Sequence, residues 1–148
     1  MKIEMKIKKL TPDAILPAYA STGAAGADLY ALPIGEPVTV EPGQTAFIHT
    51  GVAMAIPEGY VGLIYARSGL ACKRGLAPAN KVGVIDSDYR GEIMVALHNH
   101  SDKPETVMPG ERIAQFVIAP VILADWQECD SLDDTDRGAG GFGSTGIS

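Results

Sequence analysis

Short apolar segments, each closed by a turn signal, make up most of the chain. Near the start, Ile3, Met5 and Ile7 alternate with Lys and Glu, a pattern typical of a strand with one buried face. Pro-Glu-Gly at 57–59 and Pro-Gly at 109–110 mark turns between later segments. The other predicted strands are Val38–Val40, Thr45–Thr50, Val52–Ile56, Tyr60–Tyr65, Val82–Ile85, Ile93–His98, Ile113–Ile118 and Val121–Trp126. Many short strands at this spacing predict an all-β sandwich, jelly roll or barrel.

One stretch and the C-terminal end depart from the strand pattern. Ser68–Arg74 is the only segment that could hold a short helix, and Gly69 and Gly75 bracket it closely. After Cys129, four Asp residues precede a Gly-rich segment that has little apolar surface to bury. We therefore expect one domain spanning residues 1–148, of which residues 130–148 form a mobile C-terminal tail.

Charge and cysteine usage narrow the class of partner. The formal net charge of -6 argues against broad nucleic-acid binding, which needs a basic face. A small anionic ligand stays possible, because a local arginine cluster and a bound metal can reverse the field in one cleft. No apolar stretch approaches the roughly 18 residues of a membrane helix, and charges interrupt the N-terminus. Cys72 and Cys129 read as reduced thiols, so we expect a cytoplasmic protein.

The tail carries groups suited to phosphate. It runs from Arg137 to Gly146 and includes five glycines, Ser144 and Thr145; backbone N–H groups, hydroxyls and a guanidinium all donate to phosphate oxygens. Its glycines satisfy G-x-G-x-x-G, but no helix can follow, so the dinucleotide interpretation fails. A P-loop fails because no Lys precedes Ser144. Composition alone favours a flexible linker, whereas Phe142 among the glycines indicates a cover that stacks on something flat.

Two further segments lie at predicted strand ends. Arg67-Ser68-Gly69 follows the strand Tyr60–Tyr65 and opens the helix turn, where outward N–H groups favour anions. A capping role for Ser68 and a surface role for Arg67 are the plainer alternatives. Asp86 lies where an apolar strand leaves the core and enters a predicted hairpin tip, and a carboxylate held there near phosphates is a reasonable general base. Turn formation is the alternative role for Asp86, and the favoured one for Asp88.

Gln115 and Asp28 are polar residues in apolar or small-residue surroundings. Gln115 interrupts the strand Ile113–Ile118, and it either faces solvent or points into a polar cavity, since an unpaired buried amide costs about 1–3 kcal/mol. Asp28, among glycines and alanines, is a weak signal alone. The three histidines have no metal-ligand spacing. Phosphate chemistry with an oxygen-ligated metal is what remains.

Taken in order, these segments resemble the five motifs of the trimeric dUTPase family. The matching segments are Ala25–Ala31, Ala66–Ala71, Gly83–Ile93, Gly110–Ile118 and Arg137–Gly146. The resemblance implies a jelly-roll homotrimer with active sites at subunit interfaces, closed by the C-terminal tail. It implies Mg²⁺-dependent hydrolysis of dUTP to dUMP and pyrophosphate, which lowers dUTP and supplies dUMP for dTTP synthesis. Neither nucleic acid nor membrane is an expected partner.

The resemblance also implies a role for each site residue. Asp86 matches the general base that activates water for attack on the α-phosphorus, and Gln115 matches a residue that orients this water. Asp28 matches a residue that reaches the metal through water, while the substrate phosphates hold most of the ion. The implied substrate contacts are Arg67, Ser68 and Gly69 at the α- and β-phosphates, Asn80, Val84, Ile85, Asp86 and Met94 around uracil, Tyr89 under the deoxyribose, and Arg137, Phe142, Gly143, Ser144 and Thr145 in the tail.

Two departures and two rivals accompany this interpretation. Ala139 takes a position where several members have Ser, Thr or Glu, and the tail ends without the basic residue that some members carry. The rival enzyme, dCTP deaminase, has Arg-Ser-Ser and Ile-Asp-Pro-Gly where this chain has Arg67-Ser68-Gly69 and Ile85-Asp86-Ser87-Asp88. The other rival is a non-catalytic, nucleotide-sensing protein of the same fold. The residues favour dUTPase over both.

Overall fold

The structure is a computed structural model that describes residues 2–143. Eleven strands and one helix lie within that range. Their bounds are β1 Lys6–Lys9, β2 Ala18–Tyr19, β3 Ala27–Tyr30, β4 Val38–Val40, β5 Thr45–Ala55, β6 Tyr60–Tyr65, α1 Ser68–Arg74, β7 Leu76–Pro78, β8 Gly83–Ile85, β9 Glu92–Asn99, β10 Glu105–Val107 and β11 Arg112–Pro120.

All strand pairs are antiparallel and form three sheets. One has the order β1-β5-β9-β7, a second β2-β3-β11-β6-β8, and β4 pairs with β10 in a third. The two larger sheets contribute to a single core, in which Ile48 and Val95 of one sheet cluster with Leu29, Ile64 and Phe116 of the other. Alternate residues of β9 enter this core, with Ile93, Val95 and Leu97 buried. The predicted all-β, jelly-roll-like class is confirmed.

Most predicted elements are confirmed, with revised bounds. Val38–Val40, Tyr60–Tyr65 and the helix Ser68–Arg74 have the predicted limits. The two predicted segments Thr45–Thr50 and Val52–Ile56 are one strand, β5. A register shift lies between His49 and Ala53, where Gly51 adopts a φ of 72°. A glycine at positive φ accommodates this bulge without ending the strand.

The predicted strand Val121–Trp126 is wrong. The N–H of Val121 donates to the Gly59 carbonyl at 2.8 Å, and no strand follows among the described residues. Ile122 and Trp126 are 97% and 89% exposed. Among residues 2–143 nothing covers these two apolar side chains, so the pattern that predicts a strand does not produce one here.

The first predicted strand is displaced, and four short strands were not predicted. Pairing begins at Lys6 instead of Ile3, and β1 runs to Lys9 beside β5. Strands β2, β3, β7 and β10 have only two to four residues each, too few for a period of two to stand out. No helix within residues 2–143 has the length and apolar character needed to cross a membrane.

Helix α1 is fixed at its C-terminal end by Arg74. Its Nε donates to Glu105 at 2.9 Å, one Nη donates to Glu111, and the other donates to the Thr106 carbonyl at 2.6 Å. Partial burial by itself lowers the pKa of Arg74. The hydrogen bonds and negative charges of Glu105 and Glu111 have the larger combined effect, so the pKa of Arg74 is raised. Gly75 ends the helix with a φ of 66°. The helix is thereby tied to β10 and to the turn before β11.

Candidate active site

A cleft of about 400 Å³ lies where β3, β11 and the end of β6 meet helix α1. Strand register brings its polar residues together: Gln115 of β11 pairs with Asp28 of β3 on one side and with Tyr65 of β6 on the other. Arg67 lies two residues beyond the end of β6. The cleft is lined by Ala20, Ala24, Gly26, Asp28, Arg67, Ser68, Gly69 and Gln115.

Two guanidinium groups hold the Asp28 carboxylate. Oδ1 accepts from Arg67 Nε at 2.8 Å, and Oδ2 lies 3.4 Å from an Nη of Arg112. Asp28 is only 8% exposed. Its pairing with the two arginines offsets the free-energy cost of burying a charged carboxylate. The Arg67 side chain makes no other hydrogen bond among the described residues, and both its Nη groups remain available. Two cations therefore surround this one anion, so the region around Asp28 carries a local excess of positive charge, opposite in sign to the whole chain.

Arg112 is a residue of this region that the sequence pattern did not indicate. Strict alternation along β11 would put Arg112 and Gln115, three residues apart, on opposite faces of the sheet. The register of β11 against β3 shifts between Arg112 and Ala114, so the alternation breaks and both side chains reach the Asp28 region. A cation in the same short segment as Gln115 was the signal that could have identified it.

Gln115 is fixed in a single orientation. Its Nε2 donates to the Ala66 carbonyl at 2.8 Å, which leaves Oε1 as an acceptor on the cleft side. The side chain crosses Gly26 so closely that a Cβ at Gly26 would lie 2.6 Å from Oε1. Of the two placements that the sequence allowed, the polar cavity is confirmed.

Ser68 does not cap the helix, so the capping alternative is wrong. Arg67 occupies the N-cap position with extended backbone angles, and no side chain makes a capping hydrogen bond there. Ser68 and Gly69 instead form the first turn and line the cleft.

The second group of predicted site residues surrounds the loop 86–91. The Tyr89 N–H donates to the Asp86 carbonyl at 3.2 Å, and Arg90 donates to the carbonyls of Ser87 and Tyr89 at 2.6 and 3.0 Å. Asp86 is exposed. The exposed members of this group also include Asn80, Val84, Tyr89 and Met94, with Ile85 half-buried.

The predicted hairpin around this loop is wrong in one respect. β8 pairs with β6 in the five-stranded sheet, whereas β9 pairs with β5 and β7 in the four-stranded sheet. The loop 86–91 therefore crosses from one sheet to the other and is not the tip of a paired ladder. Its own hydrogen bonds, together with the sheets on either side, hold its shape.

The cleft and the loop are far apart on one chain. Ile85 pairs with Gly62 near the start of β6, while Gln115 pairs with Tyr65 at its end. Asp86, one residue beyond Ile85, is thus level with Val61, four residues or roughly 13 Å of extended chain from Tyr65. Asp86 and Arg67 lie toward opposite ends of the same strand. A single chain brings Asp28, Arg67 and Gln115 together, but not Asp86 with them.

The described part of the tail, residues 130–143, neither lines the cleft of its own chain nor makes a hydrogen bond to it. Beyond Val121 the described hydrogen bonds stay within the segment, as when Arg137 Nε donates to the Gly140 carbonyl at 2.8 Å. Phe142 is fully exposed, and Gly143 has a φ of 84°. The predicted contacts Ser144 and Thr145 lie outside the described residues.

Acidic and histidine side chains do not gather into a metal cage. Within residues 2–143, no group of three or more His, Cys, Asp or Glu residues is arranged to hold a metal ion. Any ion in the cleft would need ligands from its substrate or from water, with Asp28 as the acidic side chain there.

The fold and the cleft define a class: an antiparallel β protein that offers fixed cationic and amide groups to an anionic ligand. The dUTPase family model matches residues 12–146. Deoxyuridine 5'-triphosphate nucleotidohydrolases of Syntrophotalea carbinolica and Acinetobacter baylyi are 52% and 48% identical to this chain, over 98% and 99% of both chains in each comparison. The chain belongs to the dUTPase family.

Solved structures agree with this assignment. The dUTPase of Staphylococcus bacteriophage 80alpha with dUPNHPP superposes with a TM-score of 0.87 at 30% identity, covering 99% of this chain and 100% of that one. A mutant dUTPase from phage phi11 of S. aureus, described with a structural Mg(II) ion, has a TM-score of 0.79 at 25% identity, covering 89% and 100%. The similarity to the 80alpha enzyme covers both the cleft and the loop 86–91.

Proposed function

We propose that the protein hydrolyses dUTP to dUMP and pyrophosphate. The observation that carries the proposal is the cleft lined by Asp28, Arg67 and Gln115, with Arg112 paired to the same Asp28 carboxylate, within a fold shared with dUTPases. The excess of positive charge suits a triphosphate, and the oriented amide of Gln115 suits a bound water.

Arg67 is the principal phosphate ligand in this proposal. Its Nε is occupied by Asp28, so its planar fork is held with the two Nη groups left to donate. Ser68 and Gly69 add a hydroxyl and backbone N–H groups from the next two residues, at the α- and β-phosphates. Because the Asp28 pair exists before substrate arrives, little side-chain entropy is lost when phosphate binds.

Asp86 is the proposed general base. It takes a proton from water while the water oxygen bonds to the α-phosphorus, and the bond from that phosphorus to the bridging oxygen breaks to release pyrophosphate. Gln115 accepts from this water through Oε1, since its Nε2 is committed to Ala66. Asp86 is exposed on its own chain, which leaves its carboxylate open to a site completed by another subunit.

The donor set is compatible with magnesium bound through water. A carboxylate has about four acceptor positions, and the two arginines occupy only part of this capacity at Asp28. Asp28 would therefore contact a water of the ion, and the substrate phosphates would supply direct ligands. When bound, Mg²⁺ neutralises phosphate charge and so favours attack at phosphorus.

The nucleoside is read by the second group of residues. Asn80 and the backbone of Val84–Asp86 face uracil with Met94 beside them, and Tyr89 packs under the deoxyribose. Phe142 covers the base, while Arg137, Gly143, Ser144 and Thr145 bind the γ-phosphate. The exposure of Tyr89 and Phe142 supports these roles, because an aromatic side chain left in water has apolar surface to bury on a ligand.

Shared sites in a homotrimer account for the separation of cleft and loop. Asp86 and Arg67 lie toward opposite ends of β6 on one chain, so the proposed chemistry needs Asp86 from a second subunit. The exposed apolar side chains of the arm, residues 121–143, support the same assembly because they have no core of their own: Ile122, Leu123, Trp126 and Leu132.

The test is pyrophosphate release from dUTP, UTP, dTTP and dCTP, each with and without magnesium. We expect fast release from dUTP only, and only with the metal. Ammonia release from dCTP would instead support the deaminase, and tight dUPNHPP binding without turnover of any substrate would support a nucleotide-sensing protein.

A further inference from the structure

The Tyr89 side chain folds back over a residue that has no side chain. Its hydroxyl donates to the Glu92 carbonyl at 2.9 Å, and the ring edge lies against Gly91. A Cβ at Gly91 would lie 2.6 Å from Tyr89 Cζ and 3.0 Å from Cε2. The ring can therefore occupy this position only because residue 91 is glycine.

An alanine at position 91 would move the ring and leave the fold intact. Ordinary van der Waals contact of a Cβ begins near 3.4 Å, so the ring edge would have to retreat by roughly 1 Å. The obstructing atoms belong to the end of a flexible, 42% exposed side chain, which can turn about its own torsions. Gly91 is not among the positive-φ residues, so alanine is also compatible with the backbone there.

We propose that Gly91 determines selectivity against the 2′-hydroxyl, by allowing the Tyr89 ring to lie where it closes the space beside the sugar. This inference rests on the proposed function, in which Tyr89 packs under the deoxyribose. An aromatic ring at position 89 is then not sufficient for this selectivity. Whether a ribose fits depends on how closely the ring lies against residue 91, which the missing Cβ of Gly91 sets.

The test compares kcat/KM for dUTP and UTP in Gly91→Ala. A pocket that offers no partner to an added hydroxyl discriminates against it on the order of 10²-fold. We expect the ratio of kcat/KM for dUTP to that for UTP to fall about tenfold or more in the variant. Gly23→Ala is the matched control, because a Cβ there has nothing within 4 Å. Tyr89→Phe keeps the ring against Gly91 but loses the bond to Glu92, so its ratio should stay near wild type.

A double variant separates this inference from its premise. In Tyr89→Ala the selectivity should already be low, and adding Gly91→Ala should change it no further, since no ring is left to displace. An unchanged ratio in Tyr89→Ala would overturn the role of Tyr89 and this inference with it. Low selectivity in Tyr89→Ala with wild-type selectivity in Gly91→Ala would overturn only the role of Gly91. If Gly91→Ala lowered the selectivity equally in the wild-type and Tyr89→Ala backgrounds, the role of Gly91 would also be overturned. Thermal melting identifies any variant that has lost its fold.

Discussion

Contacts with neighbouring residues, one of them a glycine, position the polar side chains of the cleft. Gln115 crosses Gly26, and Arg67 is oriented by Asp28, which lies on a strand of four residues. Gly26 contributes no chemistry, yet its missing Cβ leaves the space that the Gln115 side chain occupies. At the scale of single residues, the absence of a Cβ is part of the site.

Gly26→Ala should displace Gln115 from the cleft. The new Cβ would lie 2.6 Å from Oε1, so the amide must turn and give up its bond to the Ala66 carbonyl. We expect kcat for dUTP to fall about 10- to 10²-fold, since a misplacement near 1 Å has an effect of this size. KM should change little, because Arg67 and Ser68 are untouched. Steady-state kinetics beside Gln115→Ala would check this, and a Gly26→Ala enzyme with wild-type kcat would contradict it.

The bounds and register of the secondary-structure elements depend on contacts with neighbouring elements. Strands with a clear period of two, such as β6 and β9, follow from the sequence because burial on one face specifies them. Bulges at Gly51 and between Arg112 and Ala114 do not, since each depends on how the partner strand continues. The same holds for the loop 86–91, whose flanking strands enter different sheets. Tertiary pairing overrides local pattern at these places.

Arg74 is the tie between helix α1 and the strand β10. Arg74→Leu should leave Glu105 and Glu111 without their shared cation, and we expect a loss of about 2 kcal/mol in the free energy of unfolding. Lys103→Ala is the control, because Lys103 is exposed and lies 3.9 Å from Glu105, a surface pair worth less than about 1 kcal/mol. Urea denaturation of both variants would measure the difference. Equal stability would mean that the Arg74 bonds contribute nothing net.

At the scale of the whole molecule, residues 121–143 extend away from the core. The apolar residues of Val121–Trp126 predict a strand of this chain, whereas Ile122 and Trp126 are almost fully exposed. The sequence pattern of one chain cannot show whether an apolar segment will be covered by that chain or by another. For the same reason, the sequence order of the motifs predicts the site residues without showing that one chain separates Asp86 from Arg67.

Deleting residues 137–148 should separate stability from catalysis. The described part of this segment buries little apolar surface, so we expect the melting temperature and the oligomeric state to stay near wild type. Turnover of dUTP should fall at least about 10²-fold, because Arg137 and the Phe142 cover are lost and water enters the site. Calorimetry, light scattering and kinetics would check these three quantities. Wild-type turnover would show that the tail is a linker.

Mixed oligomers test whether the sites are shared between chains. Asp86→Asn and Arg67→Ala should each lose most activity as pure oligomers, about 10²- to 10⁴-fold for loss of a positioned base. If Asp86 of one chain serves the cleft of another, co-refolding the two variants in equal amounts should restore intact sites. Random assortment predicts that about a quarter of the sites have both wild-type groups, and turnover should recover toward that fraction.

A matched pair of variants provides the control for this mixing. Arg67 and Gln115 line the same cleft of the same chain, so mixing Arg67→Ala with Gln115→Ala creates no site that has both groups, and no recovery is expected. Mixing Asp86→Asn with Tyr89→Ala should also fail, since both belong to one loop. Recovery in these controls would point to refolding artefacts. No recovery with Asp86→Asn and Arg67→Ala, despite exchange of subunits shown by mass spectrometry, would mean that each chain completes its own site and that the arm and loop must rearrange to do so.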